Sequence, residues 1–367
     1  MTVNPALATL LRRLHQGDIS GARETIDQNP SGAHELTASL EHHELAGYCH
    51  ALLRDEAMLH FLPADSRVRL ESAYERQQKR NQLLLDLLGE LRERLDDAGV
   101  PFLVMKGFLQ SVRYAGGIDR RFMWDQDITI RPDDLEKTLE VTESMGLHAM
   151  SGGEAGTAQL LRHLHAVERV DGKRKVDIHW VFRNRQGGRK SYDDIAQHAQ
   201  TVRIGDSDYQ AISDLDSLTL SILGLADDIE HNRIKLRKIW DIYLILHHID
   251  TTADWNSWFS ELETDGSLST TVNVLSFCLL ILDAAEDVPN ASRALQTRQD
   301  LLFVNSKPEA NSIMAREGWN PANRILISRT QPDSALRYWA SWLAGLPARK
   351  WHYRKLDRQR RRKRAGK

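Results

Sequence analysis

The chain has 367 residues, of which 41% are hydrophobic, and its formal net charge at pH 7 is −2. Its length exceeds one typical domain and allows a substantial buried core. The balanced charge excludes a protein whose bulk coats nucleic acid. Its two cysteines, Cys49 and Cys278, lie far apart without a metal or disulfide spacing, which favours a reducing cytoplasm.

Neither of two candidate segments fits a targeting or membrane element. The first 19 residues contain Arg12 and Arg13 and lack a continuous apolar run, so we expect no secretory signal. Residues 267–282 are uncharged but include Ser, Thr and Asn and are shorter than a bilayer-spanning helix. We therefore expect a cytoplasmic protein without a transmembrane segment.

Helical periodicity opens the chain, with leucines at positions 7, 10, 11 and 14. A long helix is expected from Asp65 or Ser66 to Asp97. Its predicted buried stripe consists of Leu83, Leu84, Leu87, Leu88 and Leu91.

A strand, a turn and a helix are predicted next. The run 101–105 is typical of a short buried strand, Lys106-Gly107 forms the turn, and 108–114 has helical spacing. A glycine at such a turn lets backbone N–H groups approach a phosphate, and the helix N-terminus adds partial positive charge. Lys106 could supply a full charge, although an isolated Lys-Gly also fits an ordinary turn.

Asp125 and Asp127 form an Asp-x-Asp pair that precedes the alternating residues Ile128 and Ile130. Residues two apart in a strand face the same side, about 6.6 Å apart at the backbone. We expect the pair just before the end of a half-buried strand. Two unpaired carboxylates repel, and a hard divalent cation such as Mg²⁺ removes that repulsion. An isolated pair would also fit a solvated strand edge or a helix-capping acid.

A β-hairpin is predicted from 164–170 and 176–180 around the turn Asp171-Gly172. On the return arm Asp177 and His179 share one face, and the apolar residues share the other. Asp177 is then a third acid, which could accept a proton from an attacking hydroxyl or complete the coordination of a second metal. The histidines at 163, 165 and 179 match no zinc pattern and are interpreted as core or supporting residues.

Together these pieces resemble the polymerase-β-like nucleotidyltransferase superfamily, and more closely its largely uncharacterised bacterial branch. The resemblance covers roughly residues 66–245. It rests on Lys106-Gly107, Tyr114, Arg121-x-Met123-x-Asp125-x-Asp127, Asp177-Ile178-His179-Trp180 and a helix running from Lys235 through Asp241. The resemblance implies an α/β (α+β) fold, with a small mixed-sheet nucleotidyltransferase core flanked by N-terminal and C-terminal helical regions.

The resemblance also implies a chemistry, in which Mg²⁺ (or Mn²⁺) supports transfer of an NMP from an NTP such as ATP to an unidentified hydroxyl acceptor, with release of pyrophosphate. Asp125, Asp127 and Asp177 match the catalytic and metal-binding acids. Lys106, Gly107 and Arg121 are the nucleotide-binding candidates. Arg121 either stabilises the triphosphate or braces the strand.

Two departures from the superfamily pattern favour a second hypothesis. Phe108 replaces the serine usual after the turn glycine, and Gln126 replaces the hydrophobic residue usual between the two aspartates. The alternative is a catalytically weak or inactive module that binds a nucleotide, RNA or a partner.

The predicted organisation is an N-terminal helical region (1–80), the core (81–212), a C-terminal helical domain (213–348) and a basic tail (349–367). Ser213 and Asp216 form a capping box that begins the second helical region. The tail has eleven Lys or Arg residues and one acid, Asp357. It could bind RNA, an anionic membrane surface or an acidic partner, or be a solvated helix end. An adaptor that functions through this tail is a third hypothesis.

Overall fold

The computed structural model describes residues 5–28, 32–149, 166–183 and 189–315, and in these a mixed sheet lies between two helical segments of the chain. Five α-helices precede the sheet: α1 (Pro5–His15), α2 (Ile19–Asp27), α3 (Gly32–His42), α4 (Ala46–Asp55) and α5 (Ala64–Asp97). The 349–367 tail, His163 and His165 lie outside the described residues.

Strands and short helices alternate in the middle of the chain. They are β1 (Phe102–Val104), α6 (Lys106–Arg113), β2 (Gln126–Ile130), α7 (Leu135–Ser144), β3 (His148–Ala149), β4 (Ala166–Val170), β5 (Lys175–His179), β6 (Val181–Arg183), β7 (Arg189–Ser191), α8 (Tyr192–Ala196), β8 (Gln200–Ile204) and β9 (Ser207–Ala211). The remaining helices are α9 (Asp214–His231), α10 (Leu236–Ile249), α11 (Trp255–Thr264), α12 (Leu268–Leu282), α13 (Pro289–Gln296) and α14 (Lys307–Ala315).

Seven strands form one mixed sheet in the order β3-β4-β5-β2-β1-β9-β8. The central strands β2 and β5 are parallel, whereas β1–β2 and β4–β5 are antiparallel pairs. Strands β6 and β7 pair separately. The α/β class, the mixed sheet and the helical flanks predicted from the sequence are therefore confirmed.

Helix α5 has nearly the predicted bounds, since it starts after Pro63 and ends at Asp97, before Gly99 at φ +65°. Its leucine stripe from Leu84 to Leu95 is fully buried against the sheet. The prediction for Leu83 was wrong, because this side chain is 39% exposed. One residue turns a helix by about 100°, which carries position 83 out of a stripe centred on 84, 87, 88 and 91.

The buried apolar residues form two clusters. One lies between the sheet, α5 and α6 and extends from Leu84 to Ile212. The other combines the helices that precede and follow the sheet in sequence, from Leu7 to Leu70 and from Leu218 to Met314, together with Tyr114 and Ala115. The boundaries predicted at residues 80, 212 and 348 stay predictions.

Two further sequence predictions have structural outcomes. Ser213 caps α9, because its hydroxyl accepts a hydrogen bond from the Asp216 N–H. The Asp216 carboxylate accepts from the Ser213 hydroxyl and not from its backbone N–H, so only the N-cap half of the predicted capping box is formed. Within the described residues, no helix combines the length and the apolar character that crossing a membrane requires.

Candidate active site

The acidic residues project from one face of three neighbouring strands. In the parallel pair β2–β5, Asp127 lies opposite Asp177, and in the antiparallel pair β4–β5, Glu168 lies opposite Asp177. Adjacent strands are about 4.8 Å apart, so these three carboxylates form a row across the sheet. Asp125 precedes β2 and lies one step further along the same face. We call the side chains of residues 125, 127, 168 and 177 the acidic face.

The Asp-x-Asp pair stands at the start of its strand, so the prediction that it lies near the strand end was wrong. Strand β2 begins at Gln126, and the isoleucines that follow carry it into the core. The acids are thereby held where a connecting segment becomes extended. The strand's apolar alternation fixed the shared face correctly, but it left the position of the pair along the strand undetermined.

The opposite face of β2 and β5 is apolar and completely buried, with Ile128, Ile130, Val176 and Ile178 at 0% exposure. Gln126 lies on this buried face. Its Nε2 donates a hydrogen bond to the Asp127 carbonyl oxygen at 2.8 Å, while Oε1 has no partner. This departure from the family pattern therefore changes the core behind the site and leaves the acidic face itself unaltered.

A lysine lies among the acids. The Lys175 Nζ is 2.9 Å from Asp125 Oδ2, 3.0 Å from Glu168 Oε1 and 3.3 Å from Asp177 Oδ1. Burial would lower the pKa of Lys175, but the charges of Asp177 and Asp125 raise it above its ordinary value. The Lys175 ammonium therefore stays protonated and places a positive charge at one end of the acidic face.

The other end of the acidic face contains His179. Its Nε2 lies 3.2 Å from Asp127 Oδ1, within hydrogen-bond distance. Burial alone would raise the pKa of Asp127, but Lys106, the His179 contact and Arg121 together hold it well below its ordinary value. Asp127 is consequently a carboxylate that stays ionised.

Asp177 lies between the two ends and is electrostatically strained. Burial, followed by the negative charges of Asp127 and Asp125, raises the pKa of Asp177 to about 8. Its buried Oδ1 accepts no hydrogen bond, although the Lys175 Nζ lies 3.3 Å away. Side-chain ligand atoms of Asp127, Asp177 and His179 lie within 4.8 Å of one another. Two acidic side chains and an imidazole, with a buried oxygen that accepts no hydrogen bond, fit a divalent cation.

The predicted phosphate turn connects β1 to α6. Gly107 has φ 46° and ψ −114°, a conformation that side chains disfavour. A Cβ there would meet its nearest neighbours at 3.5 Å, so the backbone conformation, and not lack of space, requires glycine. Lys106 is half-buried, and its charge acts on Asp127. Phe108 is buried in the core cluster and contributes no polar group to the turn.

Arg121 makes a buried ion pair. Its Nε and Nη2 donate to the two carboxylate oxygens of Asp241 in α10, at 3.0 and 2.9 Å. Arg237 donates to the same carboxylate at 3.3 Å and to Glu44 at 2.9 Å. Glu44 also accepts from the Trp124 indole N–H. In this geometry Arg121 braces the segment before the acids against both helical regions.

Helix α5 supports the same segment through its polar face. Asn81 Nδ2 donates to the carbonyl oxygens of Ile118 and Arg121, at 3.0 and 2.8 Å. Gln77 donates to the Asp119 carbonyl oxygen, and Arg80 to that of Trp124. A connecting segment without regular structure is thus held from Ile118 to Trp124, which fixes where Asp125 projects.

With this geometry in place, comparison with known proteins identifies the family. The sequence profile described as "Uncharacterised nucleotidyltransferase" matches residues 29–283, which is more than half of the chain. The chain belongs to this nucleotidyltransferase family. The match includes every site residue predicted above, and it makes the protein a transferase by family. No curated protein matches the sequence.

Solved structures similar to this nucleotidyltransferase include three with partial overlap. They are the antibiotic-resistance factor ANT(2'')-Ia in solution (12% identity, TM-score 0.35, covering 60% of this chain and 95% of that one), the lincomycin-bound lincosamide antibiotic adenylyltransferase LnuA (16%, 0.31, 46% and 94%) and an antigenic nucleotidyltransferase-like protein from Paracoccidioides brasiliensis (16%, 0.32, 60% and 93%). At these scores the similarities add nothing to the family assignment.

Sequence reasoning missed Lys175 and Glu168 and assigned His179 only a supporting role. The hairpin turn contained the signal for two of them. Residues two apart on β5 share a face, so Lys175 must accompany Asp177. A turn at 171–174 pairs Val170 with Lys175 and hence Glu168 with Asp177. The contact of Lys175 with Asp125 depends on the parallel pairing of β2 and β5, which no local pattern indicates.

Proposed function

We propose that this nucleotidyltransferase moves an NMP group from an NTP to a hydroxyl acceptor in a Mg²⁺-dependent reaction. The observation that carries the proposal is the register of Asp127 and Asp177 on adjacent parallel strands, with Asp125 at the strand start on the same face. This arrangement supports the metal-binding role proposed for the three acids. Mn²⁺ has similar ligand preferences and is expected to substitute.

In the proposed reaction the acceptor oxygen attacks the α-phosphorus, the bond from that phosphorus to the β-bridging oxygen breaks, and pyrophosphate leaves. A carboxylate of the acidic face takes up the hydroxyl proton. Bound Mg²⁺ would neutralise the charge that develops on the phosphate oxygens. Asp127, Asp177 and His179 would hold a first ion, and Asp125 would complete a second site.

Lys106 and Gly107 are proposed to contact the triphosphate. Lys106 makes no ion pair with any residue that the structure describes, so its ammonium can donate to phosphate oxygens. The turn at Gly107 would present backbone N–H groups at the start of α6. Arg121 was the third nucleotide-binding candidate, but its bidentate bond to Asp241 favours the bracing role.

The decisive experiment incubates the purified protein with each α-labelled NTP, Mg²⁺ or Mn²⁺ and a cell extract, and then identifies the labelled product. We expect label transfer with stoichiometric pyrophosphate release. The matched control is the Asp127→Asn protein, which should transfer nothing. Transfer by the Asp127→Asn protein at the wild-type rate would exclude the proposed site.

A weak or inactive nucleotide-binding module is the second candidate, and the burial of Phe108 favours it. The superfamily position that usually supplies a hydroxyl to the phosphates supplies none here. Binding of Mg·NTP in titration calorimetry, without pyrophosphate release in any extract, would select this candidate. Binding of RNA, an acidic partner or a membrane through residues 349–367 stays a prediction. Deleting that tail should leave transfer to a small acceptor intact.

A further inference from the structure

The acidic face has two ends that share Asp177. At the lysine end, Lys175 contacts Asp125, Glu168 and Asp177 within 3.3 Å. At the histidine end, His179 contacts Asp127. The ligand group that fits a cation in this conformation contains Asp127, Asp177 and His179 but not Asp125. The carboxylate of Asp125 is instead held by the ammonium of Lys175.

We propose that Lys175 is a resident counter-cation of the acidic face, which competes with divalent metal for Asp125 and Asp177. The first metal ion then enters at the histidine end. Binding of a second ion at Asp125 requires the Lys175 ammonium to leave that carboxylate. This inference rests on the proposed function, because it concerns the same metal site.

The competition follows from charge and distance. Carboxylate oxygens bind Mg²⁺ at about 2.1 Å, so an ammonium 2.9 Å from Asp125 Oδ2 occupies the space and the lone pairs that the ion needs. A monovalent charge and a divalent ion this close would also repel by several kcal/mol, even at an effective dielectric constant of about 20. Both cannot occupy Asp125 together.

The displaced Lys175 ammonium can move toward solvent. The Lys175 side chain is 21% exposed, and Glu168, at the outer side of the cluster, is 39% exposed. Lysine has a flexible four-carbon stem. Its ammonium, unlike the planar guanidinium of arginine, does not hold its donors in a fixed orientation. It can therefore move outward and keep Glu168 as its partner while it releases Asp125 and Asp177.

Lys175→Met tests the proposal, because it removes the charge and retains a long apolar stem. Binding of Mn²⁺ without nucleotide is measured by electron paramagnetic resonance for the full-length wild-type and variant proteins. We expect Mn²⁺ affinity to increase on the order of tenfold or more in the variant, equivalent to about 1.4 kcal/mol. A second bound Mn²⁺ should also appear at concentrations where the wild type binds one.

Thermal unfolding provides a readout that does not depend on activity. In EDTA the Lys175→Met protein should unfold at a lower temperature than the wild type, because three carboxylates lose their counter-ion. Added Mg²⁺ should restore that loss. The matched control is Lys190→Met, because the Lys190 ammonium pairs with Asp216 at 3.0 Å and the side chain is 28% exposed. That protein should also lose stability, but Mg²⁺ should not restore it.

The outcomes separate the inference from the proposed function. If Asp127→Asn abolishes Mn²⁺ binding but Lys175→Met binds Mn²⁺ no more tightly than the wild type, the counter-cation role is wrong and the metal site stands. Weaker NTP binding by Lys175→Met at unchanged Mn²⁺ affinity also overturns the inference and makes Lys175 a phosphate contact. If Asp127→Asn leaves Mn²⁺ binding unchanged in both backgrounds, the proposed function fails as well.

Discussion

The two faces of strands β2 and β5 differ in nearly every physical respect. One face consists of aliphatic side chains at zero exposure, with a single glutamine among them. The other carries several acidic side chains, a buried carboxylate oxygen that accepts no hydrogen bond and a lysine that neutralises part of the charge. Because side chains alternate along a strand, one register serves both the core and the chemistry. Substitutions one residue apart should therefore separate folding from catalysis.

The largest expected effect is on the polar face. Asp127→Asn keeps the side-chain volume and removes the charge that would hold a cation, so nucleotidyl transfer should fall on the order of 10³-fold or more. Pyrophosphate release measures the loss, and far-UV circular dichroism should stay unchanged. An enzyme that retains wild-type turnover would break the distinction between the faces.

Removing the brace behind the acids should be the next largest effect. Arg121→Met leaves the Asp241 carboxylate, which is 7% exposed, with Arg237 as its remaining ion-pair partner among the described residues. Breaking a buried pair in this way costs about 3–5 kcal/mol in the free energy of unfolding, measured with urea. The control, Arg203→Met at an exposed pair with Asp208, should change nothing measurable. Unchanged stability with weakened NTP binding would instead assign Arg121 to the triphosphate.

The buried face should respond in the opposite sense to the acids. Ile178→Ala, one residue from Asp177, is expected to lower the free energy of unfolding by about 2–5 kcal/mol. The folded fraction should retain its turnover, because no atom of the acidic face is removed. Loss of transfer in protein that is fully folded would show that the two faces are not separable at this position.

One substitution on the acidic face should raise stability while it abolishes transfer. Asp177→Asn removes an acid whose ionisation is disfavoured by burial and by two neighbouring acids, as its raised pKa of about 8 indicates. In EDTA the variant should gain roughly 0.5–2 kcal/mol in stability while losing transfer. Calorimetric unfolding with and without Mg²⁺ checks this. Lower stability in EDTA would mean that the pairing with Lys175 outweighs the repulsion.

The smallest effect is expected for Gln126, which is a polar residue on the buried face of β2. Gln126→Leu removes a hydrogen bond to the Asp127 carbonyl oxygen, but that oxygen still accepts one from the Met105 N–H at 3.1 Å. It also removes a buried oxygen that has no partner. The free energy of unfolding should change by less than about 1 kcal/mol, and turnover should be retained. A large loss of activity would assign Gln126 a part in positioning the acids.

Local patterns in the sequence predicted the elements that depend on neighbours along the chain. The bounds of α5 to within a residue or two, the helix N-cap at Ser213 and the hairpin around Gly172 are confirmed, because each depends on residues a few positions apart. The stripe of α5 was misplaced only at Leu83. The motifs shared with the nucleotidyltransferase superfamily also indicated that the acidic residues lie in one region of the sheet.

Features that depend on distant pairing could not be predicted. Strand β2 meets β5 through residues 50 positions away, as in Asp127 opposite Asp177. Without knowledge of that register, the sequence shows Lys175 only as a basic residue next to a hairpin turn. Its contact with Asp125 cannot then be predicted. The same holds for the Arg121–Asp241 pair, which joins residues 120 positions apart.

The shared core of the two helical segments has a consequence for biosynthesis. Leu7 and Leu11 are buried in one cluster with Ile242 and Phe277, and Arg12 contacts Asp287 at 2.7 Å. When α1–α4 leave the ribosome, the residues that complete their core have not been translated. The intervening sheet has its own cluster from Leu84 to Ile212 and can fold first. Until α12 emerges, nascent chains therefore expose the leucines of α1–α4, which are suitable sites for chaperone binding.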